Sequence, residues 1–169
     1  MRHHFTVDVE EHFQVLALAP YVPRERWDGL ESRVADNVAR LLDLMARHGA
    51  TGTFFTLGWV AERQPAMVKA IAEKGHEVAS HGWDHRRVFT MDRPAFAEDI
   101  ARARSSIEDA AGARVTGYRA PSFSIDQRTP WAFLELAEQG YAYSSSVAPV
   151  SHDHYGWPDA PRFAFKPIP

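Results

Sequence analysis

The strongest constraint on this fold is a regular alternation of short β-type runs with stretches of helical periodicity. His4 to Val9 reads as a first strand, rich in β-formers. Thr53 to Leu57, Glu77 to Ser80, Val115 to Arg119 and Tyr141 to Ser145 read as four more. Between them, apolar residues recur at helical spacing. Val34, Val38, Leu41, Leu42 and Met45 form one stripe, with Ser32 as expected N-cap and Gly49 as stop. A second helix opens at Pro65 and runs through Met67, Val68 and Ile71 to Gly75. A third is capped by Asp92, uses Phe96, Ile100, Ala103 and Ile107, and ends near Gly112. A fourth starts at Thr129-Pro130 and runs through Phe133, Leu134 and Ala137 to Gly140. Residues 12–31 fit neither pattern; Pro20, Pro23 and Gly29 mark them as a surface excursion.

Strands alternating with helices imply βα units around a parallel sheet. A complete (β/α)₈ barrel needs about 250 residues, and this chain has 169. The expected fold is therefore α/β: an incomplete (β/α) barrel, one domain over residues 1–169, with a doubly wound open sheet as the alternative. Phe163-Ala164-Phe165 reads as a sixth strand broken off at Lys166, so the chain is expected to lack its C-terminal part. The net charge of -3 gives no electrostatic basis for nucleic-acid binding. Met1 leads almost directly into Phe5-Thr6-Val7 with no leader-like apolar run, and no stretch approaches a membrane span; the cytoplasm is the expected location. The chain has no cysteine, so any metal must be held by histidine and carboxylate.

The polar outliers fall at the C-terminal ends of the expected strands, where parallel α/β folds build their sites. Asp8 and Glu10, two apart, point to the same side of an extended strand. Two carboxylates there repel unless a cation or proton lies between them; the alternative is a solvent-facing Asp8 and a polar loop opened by Glu10 and Glu11. His81 and His85, in Ser80-His81-Gly82-Trp83-Asp84-His85, have a spacing that lets two imidazoles meet one ion, although two loop histidines would look the same. With Glu10 or Asp8 they make a two-histidine, one-carboxylate set that leaves a position for water. Arg119 can orient Asp8. Trp83, Tyr118, Phe123 and Trp131 are candidates for a sugar-binding groove, with Trp131 more readily placed in the core. His76 is excluded as a ligand because strand alternation turns it away from His81. His152, Asp153 and His154 read as a polar loop.

Together these motifs resemble carbohydrate esterase family 4, the NodB-type polysaccharide deacetylases. Thr6-Val7-Asp8-Val9-Glu10 resembles the family's first motif, Thr-Phe-Asp-Asp. His81 to His85 matches its His-x-x-x-His motif, and Arg119-Ala120-Pro121 its third. Tyr143 to Ser146 stands where a strand-end Asp-Ser segment belongs. Val-Asp-Val-Glu with Gly-Tyr-Arg-Ala-Pro-Ser-Phe-Ser is most similar to deacetylases of exosortase-linked exopolysaccharide loci. The resemblance implies a NodB-type distorted barrel and a hydrolase that removes N-acetyl groups from an amino-sugar polysaccharide. It implies Asp8 as catalytic base, Arg119 as its orienting partner, and Glu10, His81 and His85 holding a divalent metal, with zinc the expected ion. Substrate contacts are expected at Trp83, Tyr118, Pro121 and Ser145, the backbone near Ser145 helping to form the oxyanion site.

Three departures stand out. Val9 occupies the position of the family's metal-binding Asp, which passes that role to Glu10. Ser144 replaces the Asp of the fourth motif. The Leu-x-x-His motif that supplies the catalytic acid has no match by residue 169. These leave two competing classes: a non-catalytic carbohydrate-binding pseudoenzyme, which would bind oligosaccharide without releasing acetate, and a cyclic-amide hydrolase on the same fold, which can dispense with metal.

Overall fold

The computed structural model describes residues 4–167. Five strands form one sheet: β1 (Thr6–Val9), β2 (Thr53–Thr56), β3 (Glu77–Ser80), β4 (Gly117–Tyr118) and β5 (Tyr143–Ser144). All four pairings are parallel, and the spatial order is the chain order. A doubly wound sheet reverses its order at a switch point; sequential order without reversal is that of a barrel segment. The helices are α1 (Val34–Arg47), α2 (Gly58–Arg63), α3 (Pro65–Glu73), α4 (Arg93–Ala111) and α5 (Ala132–Glu138). No described helix is long and apolar enough to cross a membrane.

Strand alternation divides the residues between two environments. Val9, Phe54, Val78 and Tyr118 join the hydrophobic core with Val38 and Leu42 of α1, Val68 and Ile71 of α3, and Phe96, Ile100 and Ile107 of α4. On the other face, Asp8 is in register with Phe55, and Phe55 with Ala79. Helix α4 follows the expected stripe: Asp92 accepts a hydrogen bond from the Ala95 N–H at its start, and Gly112 closes it at φ +64°, a conformation glycine reaches without steric cost.

Several expectations are corrected. Helix α2 was not anticipated, because the run Thr53 to Val60 is almost continuously apolar and shows no change of period. Residues 12–31 are more than a surface excursion: they form 3₁₀ turns at Leu16–Leu18 and Arg24–Gly29, and Phe13 and Trp27 enter the core. Ser32 does not cap α1; its hydroxyl donates to Glu11 Oε1, and the buried Glu11 receives the Arg33 N–H at 3.0 Å through Oε2. A carboxylate at a helix start is favoured by the unpaired N–H groups and the helix dipole. Phe163 to Phe165 forms no strand; Phe163 is 83% exposed and Phe165 packs edge-on to Phe133. Helix α5 begins at Ala132, after a turn in which the Ala132 N–H meets the Thr129 carbonyl.

Glu11→Ala is expected to cost roughly 1–3 kcal/mol, since it orphans the partners of a buried carboxylate. Glu11→Gln, which keeps an acceptor oxygen, should cost less. Urea midpoints of the two variants against wild type measure this; no loss in the alanine variant would mean that the start of α1 is satisfied by other groups.

Candidate metal and catalytic site

The site is built at the C-terminal edge of the sheet, one residue beyond each strand. The backbone ladder continues there through Leu57 N–H to Val9 O, His81 N–H to Thr56 O, Arg119 N–H to Ser80 O and Ser145 N–H to Tyr118 O, at 2.8–3.2 Å. These bonds fix His81, Arg119 and Ser145 as neighbours across the strand ends. Asp8 and Glu10 approach from β1.

Glu10, His81 and His85 each offer a ligand atom, and the three atoms lie within 4.8 Å of one another. The His81 Nδ1 is 2.8 Å from the Arg119 carbonyl. A carbonyl can only accept, so Nδ1 carries the proton and the Nε2 lone pair is free. Burial holds the His81 imidazole below the ordinary histidine range and so favours the neutral ligand form; the Asp8 carboxylate partly opposes this. Glu10 Oε2 lies 3.0 Å from His85 Nε2, yet this buried oxygen has no hydrogen-bond partner. Two donor atoms converging on one point without bonding each other is the arrangement a cation resolves. Two imidazoles and a carboxylate suit zinc and similar divalent ions.

Asp8 is held beside this set. Its Oδ1 accepts from Arg119 Nη1 at 2.7 Å, and its Oδ2 lies 4.0 Å from His81 Nε2. The guanidinium also donates to Thr6 Oγ1 at 3.0 Å and Ser145 Oγ at 2.9 Å, and lies 4.1 Å above the Phe55 ring. With Nε donating to the Ser145 carbonyl at 3.3 Å, four of the five guanidinium N–H donors are used, which fixes the orientation of Asp8.

A pocket of about 500 Å³ opens over these residues. Asp8, Glu10, His81 and His85 make its polar floor, Val15, Leu16, Ala17 and Pro20 one wall, and Ser122, Phe123, His154 and Tyr155 another. His85, Ser122 and Phe123 have φ values of 65°, 53° and 48°, and among the described residues they are the non-glycine residues with positive φ. All three line this pocket. Such conformations cost on the order of 1 kcal/mol or more each and concentrate at functional sites.

The groove expected from sequence is corrected in part. Trp83 is buried, its ring 3.4 Å beneath the Arg102 guanidinium. Tyr118 faces the helices, packed edge-on to Phe96 and Tyr141, and burial pushes its phenol above the ordinary tyrosine range. Neither reaches the pocket, because strand and loop geometry turn both rings to the core side. Pro121 is buried and begins the 3₁₀ turn (Pro121–Phe123) that delivers Ser122 and Phe123 to the pocket wall. Ser145 orients Arg119 through its side chain, and its own N–H bonds Tyr118 O at 2.8 Å. Trp131 is half-buried against Phe96, and His76 accepts from the Gly52 N–H, outside the site. Sequence reasoning missed the wall from Val15 to Pro20 and the contribution of His154 and Tyr155. The first is tied to the histidine loop by Arg24 and Asp84, 3.5 Å apart, a long-range pair that no local sequence pattern announces.

The polysaccharide deacetylase family model matches residues 28–143. The chain belongs to the polysaccharide deacetylase family. Among curated relatives, the peptidoglycan-N-acetylglucosamine deacetylase PgdA of Listeria monocytogenes is 32% identical over 101 residues, covering 60% of this chain and 21% of that protein. The peptidoglycan deacetylase of Helicobacter pylori is 28% identical over 110 residues, covering 65% and 36%. A solved structure from Mycobacterium smegmatis, assigned as a polysaccharide deacetylase, superposes with a TM-score of 0.70 at 30% identity, over 85% of this chain and 50% of that one. A family 4 pseudoenzyme from Bacillus anthracis shares the fold, with a TM-score of 0.60 at 19% identity over 65% and 38%. The chain spans half or less of the length of each of these relatives. The family match begins after β1, so Asp8 and Glu10 join the site on geometry rather than on that match.

Arg119→Ala removes the common partner of Asp8, Thr6 and Ser145 and is expected to destabilise the fold by about 3 kcal/mol. Arg119→Lys, which keeps the charge but loses the fork, should fall between. Guanidinium denaturation reads the difference; equal midpoints for all three proteins would contradict this account of the network.

Proposed function

We propose that this chain carries the metal and base half of a hydrolase that removes N-acetyl groups from an amino-sugar polysaccharide and releases acetate. The convergence of Glu10, His81 and His85 beside an arginine-held Asp8 carries the reading. Relatives named as peptidoglycan-N-acetylglucosamine deacetylases support the substrate class, and the sequence resemblance favours an exopolysaccharide as the polymer. Val9 is buried on the core face, so a ligand at that position would point away from the site, which favours Glu10 as the carboxylate donor.

A divalent ion, zinc in this reading, would supply Lewis-acid polarisation of the amide carbonyl and acidify the attacking water. Asp8 takes the proton from that water. Arg119 keeps Asp8 aimed, while the His81 Nδ1–H to Arg119 carbonyl bond fixes the imidazole tautomer. The apolar wall at Val15, Leu16 and Pro20 excludes bulk water and packs against the substrate. Of the remaining pocket groups, His154 and Tyr155 carry an imidazole and a phenol that can pass a proton to the leaving amine. A second reading is a carbohydrate-binding pseudoenzyme, favoured by Ser144 at the position of the fourth motif's Asp.

Elemental analysis should find one divalent metal per chain in wild type and little in His81→Ala with His85→Ala; equal content would overturn the ligand assignment. Asp8→Asn should keep its metal and lose about 10²–10⁴-fold in acetate release from N-acetylglucosamine oligomers, the range for a general base. His154→Ala should lower turnover while leaving metal content intact. Wild type that binds metal and oligosaccharide but releases no acetate would favour the pseudoenzyme reading.

A further inference from the structure

The loop from His81 to His85 brings two imidazoles to one point, and its two central peptides account for all their hydrogen bonds. The Gly82 N–H donates to Ser80 Oγ at 3.2 Å. The Gly82 and Trp83 carbonyls accept from the Gly58 and Trp59 N–H groups at the start of α2, each at 2.9 Å. The fourth group, the Trp83 N–H, donates to Asp99 Oδ2 on α4 at 3.1 Å. Three of these four anchors come from the backbone or a strand-end serine. The fourth is a single ionisable side chain on another element, and among the described residues it is the one acceptor for the Trp83 N–H.

The fit around this carboxylate is close. Gly82 has φ +77°, and a Cβ built there would stand 3.0 Å from Asp99 Oδ2. Arg102, one turn along α4, lays its guanidinium over the Trp83 ring. The two α4 side chains thus hold Trp83 by its backbone and its ring, which sets the distance between the preceding and following histidines. The carboxyl is a demanding choice for this place. Loss of surrounding water pushes its pKa up to about 7, against the pull of the Trp83 N–H. A residue with no role there would gain stability by being apolar.

We propose that Asp99 is a positioning residue for the metal-holding loop, fixing the separation of His81 and His85 through the Trp83 amide. The inference rests on the metal reading given above. Groups that orient first ligands typically change metal affinity by about 10–100-fold when removed.

Cobalt(II) titration of the apo chain, followed by its visible absorption and by competition with a chelating dye, tests this. Asp99→Asn keeps an acceptor oxygen and should bind within a few-fold of wild type. Asp99→Ala should bind about 10–100-fold more weakly. Asp99→Glu keeps the charge but pushes the loop by one methylene, and should shift the cobalt spectrum even if the alanine variant does not fold. Ile107→Ala, elsewhere on α4, controls for general destabilisation and should leave the cobalt affinity unchanged. Wild-type affinity and spectrum in the alanine and glutamate variants, or a loss in Ile107→Ala equal to that in Asp99→Ala, would overturn the role of Asp99. A wild-type chain that binds no cobalt would overturn the metal reading itself.

Discussion

Four backbone hydrogen bonds at the end of a parallel sheet determine where the chemistry of this chain lies. They carry the ladder one residue past each strand, from β1 through β5, and level the strand ends so that His81, Arg119 and Ser145 emerge side by side. The rest of the site depends on that levelling. Arg119 reaches Asp8, Thr6 and Ser145 because all three lie within one guanidinium span of its strand end. His81 finds a carbonyl for its Nδ1 proton because that carbonyl belongs to Arg119, on the adjacent strand. Arg119 alone reaches further, from the end of β4 past β3 and β2 to Asp8 and Thr6 on β1.

Above the sheet, local strain does what regular structure cannot. His85, Ser122 and Phe123 sit in left-handed backbone conformations around a single pocket. Their neighbours hold them there: Ser124 Oγ donates to the Pro121 carbonyl at 2.6 Å and accepts the Val88 N–H at 2.9 Å, tying the turn to the stretch after the histidine loop. Strain of this kind persists only where surrounding contacts over-determine the backbone.

Much of this was legible in the sequence. Among the described residues, the 2.0 and 3.6 periodicities located the five strands and four of the five helices, and strand-end placement picked out Asp8, Glu10, His81, His85 and Arg119 as one group. What escaped was non-periodic or non-local. Helix α2 is too short and too apolar for its spacing to differ from a strand. The capping role of Glu11 comes from a partner more than twenty residues away, so no local pattern announces it. Trp83 and Tyr118 are aromatic residues next to motif residues, and sequence adjacency says nothing about which side of a sheet or loop a ring takes. Asp99 reads as one more acidic residue of an amphipathic helix until the histidine loop is placed over it.

The alternation along β1 has a consequence for fidelity of folding. Asp8 and Glu10 face the pocket, Val9 the core, and Glu11 the start of α1. A one-residue slip of this strand would send both site carboxylates into hydrocarbon, bring Val9 out to the pocket, and take Glu11 from its helix. The segment therefore acts as its own proofreader: a misregistered copy loses the core and the helix start together with the site, so a stably folded chain with a scrambled site is not an accessible product of that error.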